Sequence, residues 1–136
     1  MAKQRESRRQ RKIREALEKE VGGYWWKQHG GPFTPAGLPD LIGCCCGYFF
    51  GIEVKEPDSD EPKGSDIQQR TAKRIHEEGG GSTLLGCLTP KEAVGFVKTE
   101  LDNRGISSAL NHLATKNRLV AKARSTPKRR RRVRSR

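Results

Sequence analysis

Between Arg5 and Val21 the apolar residues Ile13, Leu17 and Val21 recur at i, i+4 and i+8 among good helix formers and charged side chains. That spacing gathers them on one stripe of an amphipathic helix. Gly22-Gly23 stops the helix, and Tyr24-Trp25-Trp26-Lys27 reads as a short aromatic strand. Successive strand residues point to opposite faces; both indoles are expected in the core, the alternative for one of them being a surface that stacks on a base. From His29 to Gly37 the prolines and glycines rule out regular structure, so this stretch is a loop that lets the backbone approach something closely.

Two apolar, β-prone runs follow, Leu38 to Cys46 and Tyr48 to Lys55. They predict an antiparallel pair at the centre of a sheet, with a tight turn near Cys46-Gly47. The acidic, proline-containing segment Glu56 to Gly64 is a loop, and Ser65 caps a helix running to about Glu78, where Gly79-Gly80-Gly81 ends it. Ser82 to Leu88 is a further strand. Thr89 as N-cap and Pro90 at the first helical position then open a helix to about Asn103. The order α-β-β-β-α-β-α predicts an α/β fold, a mixed β-sheet flanked by helices.

Composition changes this picture at one end of the chain. Of 136 residues only 32% are hydrophobic, against roughly 45–50% for a globular chain counted with glycine. Residues 1–102 carry 16 basic and 16 acidic side chains, while the 12 basic residues from Arg104 to Arg136 supply the whole formal charge of +12. The reading is a balanced domain over residues 1–103, a basic helical extension over 104–123 built on Leu110, Leu113 and Leu119, and a disordered Arg/Lys-rich tail over 124–136. A cationic tail seeks a polyanion, and nucleic acid is the expected partner. The run Lys128 to Arg132, with Arg129, Arg130, Arg131 and Arg132, is the expected phosphate contact.

The highly charged N-terminus does not resemble a secretory signal, and no apolar run approaches the ~20 residues of a membrane span. The expectation is a soluble, cytoplasmic protein. Cys44, Cys45, Cys46 and Cys87 lack the spacing of a zinc site and are expected to be small, buried, reduced thiols.

Chemistry enters with three polar residues where a hairpin core should be apolar. Asp40 opens the first central strand, and Glu53 and Lys55 stand two residues apart near the end of the second, projecting to one face. A turn near Cys46-Gly47 places Asp40 across from Glu53. Two adjacent carboxylates repel, and their pairing makes sense if a hard divalent cation neutralises them. Mg²⁺ or Mn²⁺ held there would polarise a phosphodiester and lower the pKa of a bound water, with Lys55 beside it to orient water or offset developing charge. Lys27 and His29 are cast as substrate contacts.

Pro39-Asp40 followed by Glu53-Val54-Lys55 resembles the PD-(D/E)XK nuclease signature. The surrounding runs Trp26 to Phe33, Gly37 to Gly43, Gly51 to Lys55 and Ile67-Gln68 resemble the stand-alone VRR-Nuc branch of that superfamily, common in phages and prophages, over roughly residues 5–100. The resemblance implies a restriction-endonuclease-like fold and metal-dependent DNA cleavage. It also implies a homodimer similar to Holliday junction resolvases, acting on branched DNA. It adds the Val54 carbonyl as a metal ligand, an acid on the first helix that points to Glu6, with Glu15, Glu18 and Glu20 as competitors, and Gln68 on the helix after Lys55. The competing reading is a non-catalytic basic nucleic-acid-binding protein in which Asp40, Glu53 and Lys55 form an ion-pair network.

Overall fold

The computed structural model describes residues 2–106. The order is α1 (Ala2–Glu20), β1 (Tyr24–Lys27), β2 (Leu41–Cys45), β3 (Tyr48–Val54), α2 (Asp66–Glu77), β4 (Ser82–Cys87) and α3 (Pro90–Asn103). This is the expected α-β-β-β-α-β-α succession. The four strands form one sheet in the order β1-β2-β3-β4, antiparallel except for the parallel β3/β4 pair that α2 connects. The extension expected over Ser107 to Ala123 and the Arg124 to Arg136 tail lie outside the described residues.

Local chemistry accounts for each boundary. α1 ends where Gly22, at φ 82°, bends the chain back, and Val21 N and Gly22 N both donate to Leu17 O. The β2/β3 turn is Cys46-Gly47, with φ 55° and 81°, the left-handed pair of a two-residue hairpin loop whose twist matches the strands. α2 opens on a reciprocal capping box between Ser65 and Gln68. α3 opens on Thr89, whose hydroxyl accepts from Glu92 N at 3.2 Å, with Pro90 following.

The main core lies between one face of the sheet and the pair α1 and α3. Ile13, Leu17 and Val21 meet Trp25, Leu41, Phe50, Ile52 and Val54 from the sheet, and Val94, Val97 and Leu101 from α3. Trp25, Gly43 and Phe50 stand in register across three strands. Gly43 is obligatory there, because a Cβ would overlap the Trp25 ring. The buried indole N–H of Trp25 is satisfied by Gly22 O at 2.7 Å. The opposite face, carrying Trp26, Ile42, Gly51 and Thr83 in register, looks toward α2.

Three expectations are corrected. Trp26 is not core: it is 37% exposed and packs its ring 5.4 Å from that of exposed Tyr24, because α1 covers only the Trp25 side of the edge strand. Cys44 is exposed and Cys46 half-buried rather than buried, and Cys46, a turn residue, brings its sulfur to 3.9 Å from that of Cys45. β2 begins at Leu41, so Asp40 precedes the strand instead of opening it. Among the described residues no helix is long and apolar enough to cross a membrane.

Candidate active site

Leu41 pairs with Ile52, and one step further out Asp40 comes opposite Glu53. Alternation puts Asp40 and Glu53 on the α2 side of the sheet, with Lys55 on the same side. Asp40 is fixed by its neighbours: its carbonyl accepts from Gln28 N at 2.7 Å and its Oδ2 from Val54 N at 2.9 Å. The buried Pro39 ring packs against Gly51, where a Cβ would come within 2.6 Å of Pro39 Cγ. The Pro-Asp pair is thereby docked on β3 by a glycine two residues before Glu53.

Glu53 is 4% exposed. Gln68 Nε2 donates to its Oε1 at 2.8 Å, while Gln68 Oε1 accepts from Ser65 N at 2.8 Å and from Lys55 Nζ at 3.3 Å. Gly64, at φ 84°, leaves room for that folded-back side chain, since a Cβ there would stand 2.9 Å from Gln68 Oε1. On the other flank β4 carries an irregularity: Glu53 pairs with Leu85 and Val54 with Cys87, skipping Gly86. Gly86 has φ 80° and no room for a Cβ against Pro62 O, so this bulge seats the loop before α2 beside the site.

Burial first, then the Asp40 carboxyl beside it, pushes Glu53 from its ordinary 4.5 up to about 8, with Lys55 pulling the other way. Its Oε2 is buried without a hydrogen-bond partner. Two ionised carboxylates offer each other no donor, so this oxygen is satisfied by a proton shared with Asp40 or by a cation. The donor set is hard oxygen, and a divalent cation of the Mg²⁺ or Mn²⁺ kind fits it. Among the described residues no three His, Cys, Asp or Glu side chains gather to hold a metal. Protein oxygens beyond the two carboxylates would therefore have to come from the backbone, or waters complete the shell.

The structure brings together Asp40, Glu53, Lys55 and Gln68, with Val54 in the backbone between them. Glu6 stands apart from this group. It is half-buried on the first turns of α1 and accepts from Gln10 Nε2 at 3.4 Å. Its helix does reach the right end of the sheet, since Ser7 meets Lys27 Nζ at 3.4 Å and Arg9 bonds Leu88 O and Glu56 beyond the ends of β4 and β3. Lys27 is half-buried and so engaged, whereas His29 is exposed in the loop. A cleft of about 420 Å³ opens in front of Asp40, walled by Gln28, the Gly30 to Gly37 loop and Pro39. Thr71 Oγ1 ties that loop to α2 through Ala36 O at 3.2 Å. Arg129 to Arg132 lie outside the described residues. Sequence reasoning missed the two contacts that seat the site, Gly51 under Pro39 and Gly86 against Pro62; their only signal was a glycine inside a strand pattern.

No protein-family model matches the chain, and no curated protein matches it. Among solved structures it is similar to one described as a VRR_NUC domain, with a TM-score of 0.51 and 24% sequence identity, over 68% of this chain and 94% of that one. The element order and mixed sheet agree with the restriction-endonuclease-like fold that the sequence resemblance implied. The chain therefore has the fold of a VRR_NUC domain.

Proposed function

We propose that the chain is an endodeoxyribonuclease of the VRR-Nuc type that hydrolyses phosphodiester bonds with Mg²⁺ or Mn²⁺. The observation that carries this reading is Glu53, a buried carboxyl beside that of Asp40, pushed up to about 8 and with one oxygen unpartnered. Perturbed carboxyl pairs of this kind concentrate at functional sites. Asp40 and Glu53 would hold the cation, with the Val54 carbonyl as the backbone ligand that the family likeness implies. When bound, it would polarise the phosphodiester and supply a hydroxide at neutral pH.

The chain's own residues do the rest. Gln68 orients Glu53 by donating its Nε2 and keeps the Lys55 ammonium within reach through its carbonyl oxygen. Lys55 donates toward the phosphate oxygens, where charge grows in the transition state. Asp40 cannot swing away, because Val54 N holds its Oδ2. Glu6 is assigned as the outer acid, reaching the cation through water. Lys27 and His29 are assigned to the DNA backbone at the rim, and Arg129 to Arg132 to phosphates farther along. Selectivity for branched DNA such as Holliday junctions, and action as a homodimer, belong to the same reading.

The alternative, a basic nucleic-acid-binding protein held by an ion-pair network, has less support. Among the described residues no salt bridge joins Asp40, Glu53 and Lys55, since Lys55 reaches Gln68 instead. The deciding experiment incubates the full chain with linear, nicked, flapped and four-way-junction DNA in Mg²⁺, Mn²⁺ or EDTA. Metal-dependent cleavage is expected, falling about 100-fold or more in Asp40→Ala and Lys55→Ala while DNA binding persists. Equal cleavage by wild type and both variants overturns the proposal.

A further inference from the structure

The domain that is neutral as a whole is not neutral everywhere. Between Ala2 and Arg14 lie seven basic residues and a single acid, Glu6. Farther along α1 the cations find partners, Arg11 with Glu15 at 4.0 Å and Arg14 with Glu18 at 3.7 Å. Arg5, Arg8 and Lys12 do not. They are exposed, they sit at i, i+3 and i+7 on one stripe of the helix, and among the described residues no salt bridge engages them.

The fourth member of the stripe fixes where the others stand. Arg9 is half-buried and donates to Leu88 O at 2.5 Å and to Glu56 Oε2 at 3.3 Å. Leu88 directly follows β4, and Glu56 directly follows Lys55. Arg9 thus pins the stripe to the end of the sheet where Glu53 and Lys55 emerge. A cleft of about 360 Å³ runs there, with Arg5, Arg8, Arg9 and Lys12 on one wall and Leu88, Thr89 and Pro90 on the other. The nearby acids are committed, Glu56 to Arg9 and Glu92 to Leu88 N.

We propose that Arg5, Arg8 and Lys12 form a phosphate-binding track for the backbone of duplex DNA, beside the active site. The proposal rests on the reading of the chain as a protein that acts on DNA. Three cations spread over roughly 10 Å of helix match a polyanion better than a single anion, and their exposure leaves them free to follow a curved backbone. Each phosphate they neutralise releases condensed counterions, which yields affinity without sequence preference and fixes how the duplex lies against Glu53 and Lys55. The stripe belongs to the folded domain and acts independently of the basic residues after Asn103.

The test is equilibrium binding of the full chain to a short DNA duplex in EDTA, so that no cleavage intervenes, across about 50 to 200 mM salt. Neutralising Arg5→Gln, Arg8→Gln and Lys12→Gln together is expected to reduce the slope of log affinity against log salt by roughly 2 to 3. A control removes the same charge at the exposed Lys19, Lys73 and Lys98 by Lys→Gln and should leave the slope close to wild type. Arg5→Lys with Arg8→Lys should retain it, which separates charge from folding. If the stripe variant and the control behave alike, the track does not exist, and an acidic protein surface becomes the better partner. If the track binds DNA and the chain never cuts it, the nuclease reading fails while this one stands.

Discussion

Gln68 donates its Nε2 to Glu53 Oε1 at 2.8 Å while its own Oε1 accepts from Ser65 N at 2.8 Å. One side chain therefore closes the capping box of α2 and holds the carboxyl of Glu53 on β3, so helix start and candidate site share a part.

Gln68→Ala should consequently move two readouts together. Losing the side-chain half of the capping box and leaving a buried carboxylate oxygen without its donor costs about 1–3 kcal/mol, measurable as a lower urea midpoint. Cleavage should fall more than that destabilisation accounts for, because Lys55 also loses its partner. Gln68→Glu separates the two effects: its carboxylate still accepts from Ser65 N, but it repels Glu53. Stability there should recover only the part owed to the Ser65 contact, with cleavage still depressed; full activity in Gln68→Glu contradicts the positioning role.

Gly51→Ala is expected to injure the site through a residue that touches no substrate. Its Cβ would come within 2.6 Å of Pro39 Cγ, so Pro39 must shift and Asp40 must follow. Overpacking of this kind costs about 1–3 kcal/mol. Divalent-ion affinity, followed by calorimetric titration, should weaken in the folded variant. Unchanged affinity would mean that Asp40 is positioned by its hydrogen bonds alone.

How much of this was legible in the chain follows from what each signal carries. Periodicity and caps located every described element, because signals such as Ile13, Leu17 and Val21, or Ser65 ahead of its helix, act within a few residues. The juxtaposition of Asp40 and Glu53 was legible for the same reason, since a two-residue turn sets the register of both strands. Trp26 was misread because alternation tells which residues share a face but not which face a helix covers. Gly51 under Pro39 and Gly86 against Pro62 are contacts between segments distant in sequence, and a glycine alone does not reveal what approaches it. Glu6 was pointed to by the family likeness alone, since no local signal in the chain says where α1 crosses the end of the sheet.

The cysteines give a prediction independent of catalysis. Burial pushes Cys45 up to about 12, with Cys46 adding to it, and Cys87 up to about 11. Both stay protonated near neutral pH, and the thiolate is the reactive form. A native chain treated with a charged thiol reagent should be modified first at exposed Cys44, then at half-buried Cys46, with Cys45 and Cys87 reacting only after denaturation. Fast labelling of Cys87 in the folded chain would show that the β4 to α3 junction opens.

The last prediction concerns pH in the absence of metal. Glu53 sits at about 8 in the folded chain against 4.5 for an ordinary glutamate, so the folded state holds its proton more tightly than the unfolded state does. A carboxyl raised in this way contributes stability that is fully present below 4.5 and is lost as pH rises through about 8. Between those values its share falls by about 1.4 kcal/mol per pH unit. In EDTA, wild type should therefore lose stability relative to Glu53→Gln as pH is raised from 5 to 8, read as the difference between their denaturation midpoints. Millimolar Mg²⁺ should shrink that difference for wild type and leave Glu53→Gln largely unmoved, because a cation between Asp40 and Glu53 replaces the shared proton. A pH-independent difference in EDTA would mean that Glu53 is ionised throughout and that its Oε2 has a partner other than a proton.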